Sequence, residues 1–364
     1  MPIHKVGYRG WQGKRVPIPL RWCIISTTGI RVALRSRWVR RLMFICFFPV
    51  LYWGFAVFML EQYMAQPDLQ ENLSKAAQQM EQMEQMEQFD FRRDSSRRAR
   101  RNGPPQIRRM QRYQQNLAML PKSDVVIDAL QSPGTDTRHI IWSWLLMTFF
   151  RYPQSIMLLF LIGLIAPGLI SRDVRSRAFL LYFSRPIGRF EYIFGKLIIP
   201  AAFIAFITCL PALVLYVFGV MLSTDWSIIS MTWDVPFRIL LAALILILPT
   251  ASIALMLSSL TQESRFATFA WFALWIMGHG AWLAIVLSQA ISMREPPFSN
   301  RVMESTLVEN WSFISLYNNL GSVQSWIFGF DPFSEIWPSF LILTLLTLFA
   351  LAILFRRVSA PIRI

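Results

Sequence analysis

Leu42 to Leu60 runs nineteen residues without an Asp, Glu, Lys or Arg, and five further stretches of the same kind follow it. An α-helix rises 1.5 Å per residue, so about twenty residues cross a hydrocarbon core of roughly 30 Å. In hydrocarbon a backbone amide without a partner costs several kcal/mol, and a helix satisfies its amides internally. The pattern therefore predicts an all-α membrane protein of six transmembrane helices: 42–60, one within 140–170, 197–222, 239–260, 266–291 and 336–355. A hydrophobic fraction of 54% over 364 residues is too high for an ordinary soluble chain. No small-residue cleavage site follows the first run, which reads as a span rather than a removable leader.

Charge orients these spans. Met1 to Arg41 holds ten Lys or Arg residues and no acid, Arg356 and Arg357 follow the sixth run, and the loop 171–196 carries six cations against Asp173 and Glu191. Such an excess marks cytoplasmic segments. By contrast, 223–236 carries Asp225 and Asp234 and no cation, and 292–335 carries two arginines against five acids. The expectation is that both termini are cytoplasmic, with the tail at 356–364, and that 223–236 and 292–335 lie outside. The Trp-rich 292–335 segment is expected to fold back onto the membrane surface. Within 1–41, Trp22 to Trp38 mixes Ile24, Ile25, Ile30 and Val32 with Arg31, Arg35 and Arg37, as a basic amphipathic helix in the interface would.

Residues 61–139 differ in kind: a large polar insertion between spans one and two, with "QQMEQMEQMEQ" at Gln78 to Gln88 and a basic run at Arg92 to Arg112. A period of three drifts around a helix of 3.6 residues per turn, so the repeat makes no steady apolar stripe and reads as loose helix or disorder. The insertion exceeds the length over which the positive-inside rule counts, and the flanking short loops place it outside. A substrate-contacting domain is the other reading of this segment.

The second span is interrupted. Ile140 to Phe150 is apolar, Arg151 and Pro153 break the pattern, and Ile156 to Ile170 resumes it. A charge at mid-bilayer costs about 2.5 to 3.5 kcal/mol on insertion scales, which puts Arg151 at an interface or in a protein-lined cavity. The span is read as Tyr152 to Ile170, preceded by an interfacial segment with Trp142 and Trp144 in an outer aromatic belt; a re-entrant segment is the alternative. His279, between Gly278 and Gly280 in the fifth run, is the conspicuous titratable group of the membrane region. It reads either as a histidine hydrogen-bonded between helices or as an intramembrane substrate or proton site.

Several function classes find no apparatus. The net charge of +15 sits beside apolar runs, where it orients spans and meets lipid headgroups, and no nucleic-acid motif accompanies it. Cys23, Cys46 and Cys209 are too scattered for a disulfide framework or a zinc site, as are the three histidines. No GxxxxGK[ST] loop occurs; "FEYIFGKL" comes closest, but Leu197 stands where the magnesium-binding Ser or Thr would be. Neither HExxH nor GxSxG appears. The chain is not expected to be an enzyme or to bind a cofactor of its own.

The stretch Ser171 to Lys196, "SRDVRSRAFLLYFSRPIGRFEYIFGK", is where charges, breakers and spans meet. Val174, Ala178 and Leu181 follow Arg172 on one helical face, Pro186 breaks that helix, and a second helix can start near Ile187. This helix-break-helix resembles the cytoplasmic loop of permease subunits of type-2 ABC exporters, matching at Ser184, Arg185, Pro186, Arg189, Gly195 and Lys196. It departs at Ser176-Arg177, where many members carry Gly-Thr. "GIRVALRSRWVRRLMF", the turn "SSLTQESR" and the tail "RRVSAPIRI" resemble the same class. The resemblance implies a transport subunit of a bacterial inner membrane. It pairs with a second copy or paralogue and couples to a separate ABC ATP-binding subunit that carries ATP and magnesium. It places the coupling on Arg172, Asp173, Arg175, Arg185, Pro186, Arg189, Glu191, Gly195 and Lys196. Two other classes stay open: a secondary transporter, and a membrane scaffold or receptor working through 61–139.

Overall fold

A computed structural model describes residues 21–65, 122–131, 136–178, 188–223 and 226–359. The low-complexity and basic runs of the insertion, and Arg185 and Pro186, lie outside those residues. Every regular element among the described residues is helical. Six helical stretches are long and apolar enough to cross a membrane: Arg37–Gln62, Thr137–Arg175, Arg189–Leu222, Val235–Leu260, Ser264–Met293 and Phe333–Ser359. The protein is an all-α integral membrane protein. The six apolar runs of the sequence fall inside these helices, which extend beyond them because polar flanks continue the helical hydrogen bonding.

In chain order the helices are α1 (Arg21–Leu34), α2 (Arg37–Ile45), α3 (Phe48–Ala65), α4 (Ser123–Gln131) and α5 (Thr137–Phe149). After a π-helical turn at Phe150–Gln154 come α6 (Ser155–Ile165), α7 (Pro167–Arg175), α8 (Arg189–Leu222), α9 (Ser227–Met231), α10 (Val235–Leu260) and α11 (Ser264–Met293). The chain closes with α12 (Asn300–Met303), α13 (Thr306–Trp311), α14 (Leu316–Ile327) and α15 (Phe333–Ser359). Helix α10 is the centre of the bundle and packs on α7, α8, α11, α14 and α15. Its buried face is rich in small residues, among them Ala242, Ala243, Ala251, Ser252 and Ala254, which let helices approach closely where lipid supplies no hydrophobic drive.

The second span bends at its two prolines. Pro153 has no N–H to donate and its ring crowds the preceding turn, and the chain answers with the π turn; the Ser155 hydroxyl then donates to the Phe150 carbonyl at 3.0 Å. At Pro167, the buried Ser258 hydroxyl of α10 accepts from the Ile170 and Ser171 amides, both at 3.1 Å, and donates to the Pro167 carbonyl at 2.7 Å. A side chain from the neighbouring helix thus completes the broken ladder. At 39 residues, about 58 Å of helix, the stretch Thr137–Arg175 outruns the bilayer core.

Two placements differ from the sequence reading. Trp142 is not in a lipid-facing belt: it is buried, donates its indole N–H to Glu61 at 3.1 Å and packs on Tyr216 and Gly219. The segment 292–335 does not spread over the surface, because α14 inserts into the bundle against α10, α11 and α15 with Asn318, Asn319, Leu320 and Gln324 buried.

Candidate functional site

The cations Arg172, Arg175, Arg189, Arg265, Arg356 and Arg357 gather at the end of the bundle where α1, α7, α8, α15 and the α10–α11 turn meet. There α7 closes in a left-handed cap. The Ala178 amide donates to the Asp173 carbonyl at 3.0 Å, the Arg177 amide to that of Val174, and Arg177 takes φ 50°. The helix expected to carry Val174, Ala178 and Leu181 up to Pro186 therefore ends at Arg175, before Ala178, while Leu181 and Pro186 lie outside the described residues. Farther along the chain α8 starts at Arg189, and the Glu191 carboxylate accepts from the Gly188 amide at 3.0 Å, serving the N-terminus of α8.

Between the two helices lies a shielded bracket. The Lys196 ammonium sits 2.7 Å from an Asp173 carboxylate oxygen and donates to the Leu169 carbonyl at 2.7 Å. The fully buried Tyr192 donates its hydroxyl to the same Asp173 oxygen at 2.7 Å, and its ring lies 5.6 Å from the Lys196 nitrogen. Side-chain exposure is 10% for Lys196 and 15% for Asp173, so the pair is partly desolvated and its loss would strand a charge.

Helix α1 lies on the first turns of α8. The buried Ser26 donates to the Gly195 carbonyl at 3.0 Å, Trp22 meets Phe194 edge-on at 5.1 Å, and a Cβ on Gly195 would stand 3.0 Å from the Trp22 carbonyl and the Ile25 Cβ. Glycine is needed for that approach. On the other side Arg175 pairs with Glu263 of the α10–α11 turn at 3.4 Å, and Arg265 lies 3.8 Å from the same carboxylate. Both pairs are largely exposed and contribute little stability.

Thus Asp173, Lys196 and Gly195 come together, Arg175 reaches the α10–α11 turn, and Arg172 is exposed nearby. Arg189 and Glu191 stand at the start of α8. Tyr192, Ser26, Ser258 and Glu263 complete the patch without having been singled out in the sequence. The spacing of Tyr192 four residues before Lys196 was the available signal for the first of them.

A second polar region lies within the spans. The His279 ring stacks on Trp282 at 5.4 Å and meets the edge of Tyr317 at 4.9 Å, with the Ser315 hydroxyl 3.5 Å from Nδ1. Arg151, in the π turn, lies over the same Tyr317 ring at 4.9 Å and against Gly321, where a Cβ would fall 1.2 Å from a guanidinium nitrogen. Arg151 is therefore half-buried against α14. Gln154 of the π turn, and Asn318, Asn319 and Gln324 of α14, each keep a buried side-chain atom without a hydrogen-bond partner among the described residues. At the opposite end Asp234 accepts from His139 at 3.0 Å and from Arg238 at 2.6 Å, while Arg238 also donates to the Ile327 carbonyl at 2.9 Å. Burial pushes the Asp234 carboxyl up, but the bonds from His139 and Arg238 outweigh it and hold the group below its ordinary value.

No curated protein and no solved structure matches the chain. The family described as ABC-2 family transporter protein matches residues 24–359, which takes in α2 to α15 whole, most of α1 and the insertion. Most of α1, the six spans and the basic patch fall within that match, and the chain belongs to the ABC-2 family of transporter proteins.

Proposed function

We propose that this chain is the membrane permease of an ATP-driven type-2 exporter in a bacterial inner membrane. A separate ATP-binding subunit docks on the basic end, which faces the cytoplasm. ATP and magnesium reside on that partner, and a second copy or paralogue of the permease completes the path. The reading rests chiefly on the bracket of Asp173, Tyr192 and Lys196. It clamps the end of the second span to the start of the third, so a push on α1 moves both spans as one body. The Arg175–Glu263 pair extends the same push to α10 and α11. Switching between inward and outward states then follows from contacts that differ between them. Arg151, His279 and the polar α14 supply polar surface along the path.

Purification of the tagged chain in mild detergent, with mass spectrometry of what accompanies it and an ATPase assay, tests this. The expected result is a stoichiometric partner carrying a phosphate-binding loop, with orthovanadate-sensitive hydrolysis. A chain that arrives alone under gentle extraction, with no ATPase recoverable, overturns it.

A further inference from the structure

A groove of about 600 Å³ runs between the first turns of α8 and the last turns of α15, beside the bracket. Phe190, Phe194 and Leu197 form one wall, Leu351 and Phe355 the other, and Arg356 stands at its rim. Phe190 and Phe355 meet at 4.8 Å between ring centroids. Arg357 is exposed and Arg189 half-exposed at the same end, and none of these three arginines pairs with a carboxylate among the described residues. Behind the groove lies a small apolar cluster in which Tyr192, Ile193 and Leu354 pack together.

We infer that this groove is the seat of one phospholipid with an anionic headgroup: an acyl chain lies between α8 and α15 and the phosphate oxygens meet Arg356 and Arg189. The charge pattern selects this occupant. The walls are apolar, which excludes a small polar metabolite, while the unneutralised positive charge at the rim favours a headgroup of net negative charge over a zwitterionic one, whose phosphate is already offset by its own cation. The groove opens at the ends of two membrane-crossing helices, where headgroups stand. Its lining includes Ile193, which shares a cluster with Tyr192, and Tyr192 bonds Asp173. Occupancy therefore braces the bracket directly, and the stability of this end follows the anionic lipid content of the bilayer. The inference needs only that the protein spans a membrane and does not depend on an ATPase partner.

Native mass spectrometry of the delipidated full chain, titrated with phosphatidylglycerol or phosphatidylcholine, tests it. The result expected is one phosphatidylglycerol bound more tightly than phosphatidylcholine, weakened about fivefold by Arg356→Gln, the weight of one basic residue at an anionic surface. The adduct should be lost in Ala352→Trp, whose indole fills the groove from an exposed position, while Arg301→Gln at the opposite end leaves binding unchanged. Equal binding of the two lipids, or wild-type affinity in Arg356→Gln, overturns the inference. So does a cysteine at 352 that cross-links to a second copy in preference to being shielded by lipid. Should Ala352→Trp aggregate, the Arg356→Gln titration decides alone.

Discussion

The Lys196 ammonium and the Asp173 carboxylate, 23 positions apart in sequence, meet at 2.7 Å in a place where water reaches little of either. Removing one partner leaves the other charged and half-enclosed, whereas removing both leaves a neutral contact. Lys196→Met and Asp173→Asn are each expected to lower stability by about 1–3 kcal/mol, and the double variant by less than the sum. Thermal unfolding followed by size-exclusion chromatography reads this. Additive losses would show that the pair carries no coupling.

Helix α1 should be displaced by bulk at Gly195, because the atoms that a Cβ meets there include the Trp22 carbonyl, which cannot rotate aside. Cys23 of α1 is partly exposed, while Cys46 is buried. In Gly195→Leu, maleimide labelling of Cys23 should become several times faster with membrane insertion intact. An unchanged labelling rate would mean that α1 does not depend on this contact.

The Arg151 guanidinium fills the space that a Cβ on Gly321 would take. Gly321→Ala must expel the guanidinium from the Tyr317 ring, losing a cation–π contact of about 1–2 kcal/mol and packing besides. The same substitution made in an Arg151→Met background should cost clearly less. Tyr317→Phe keeps the ring and should be tolerated; Tyr317→Leu should not. Equal melting temperatures for these two would remove the ring from the account.

Asp234 carries a pH dependence whose sign is fixed by its depressed native value. A lowered carboxyl stabilises the fold above its unfolded value, near 3.8, and that contribution is lost as pH falls through the lower native value. Asp234→Asn should therefore be less stable than wild type at pH 7, and the gap should narrow as pH is taken below about 4. Melting curves at both pH values check this; a gap that widens in acid contradicts it.

The spans were legible because nineteen or more uncharged residues admit few folds in a bilayer; of the basic patch only Arg172, Arg175 and Arg189 stand near one another in sequence, and Arg265, Arg356 and Arg357 join them through packing. Lys196 was visible in the sequence too. The partners were not. Tyr317 lies 166 positions after Arg151, and Ser26 lies 169 before Gly195; helix packing alone brings them together. Helix α14 was misread for a related reason: the tryptophans of 292–335 looked like an interfacial segment, yet packing on other helices buries Asn318, Asn319 and Gln324 between them. Ser258 gave no signal, because a serine that completes another helix's broken ladder looks like any other.

The central claim, that the basic end receives the ATP-binding subunit, is tested most directly by site-specific photocross-linking in native membranes. A benzophenone side chain at the exposed Arg172, Arg175 or Arg265 should capture a subunit carrying a phosphate-binding loop, and one at Arg301 on the opposite end should not. Capture from Arg301 alone, or from no position, would contradict the account.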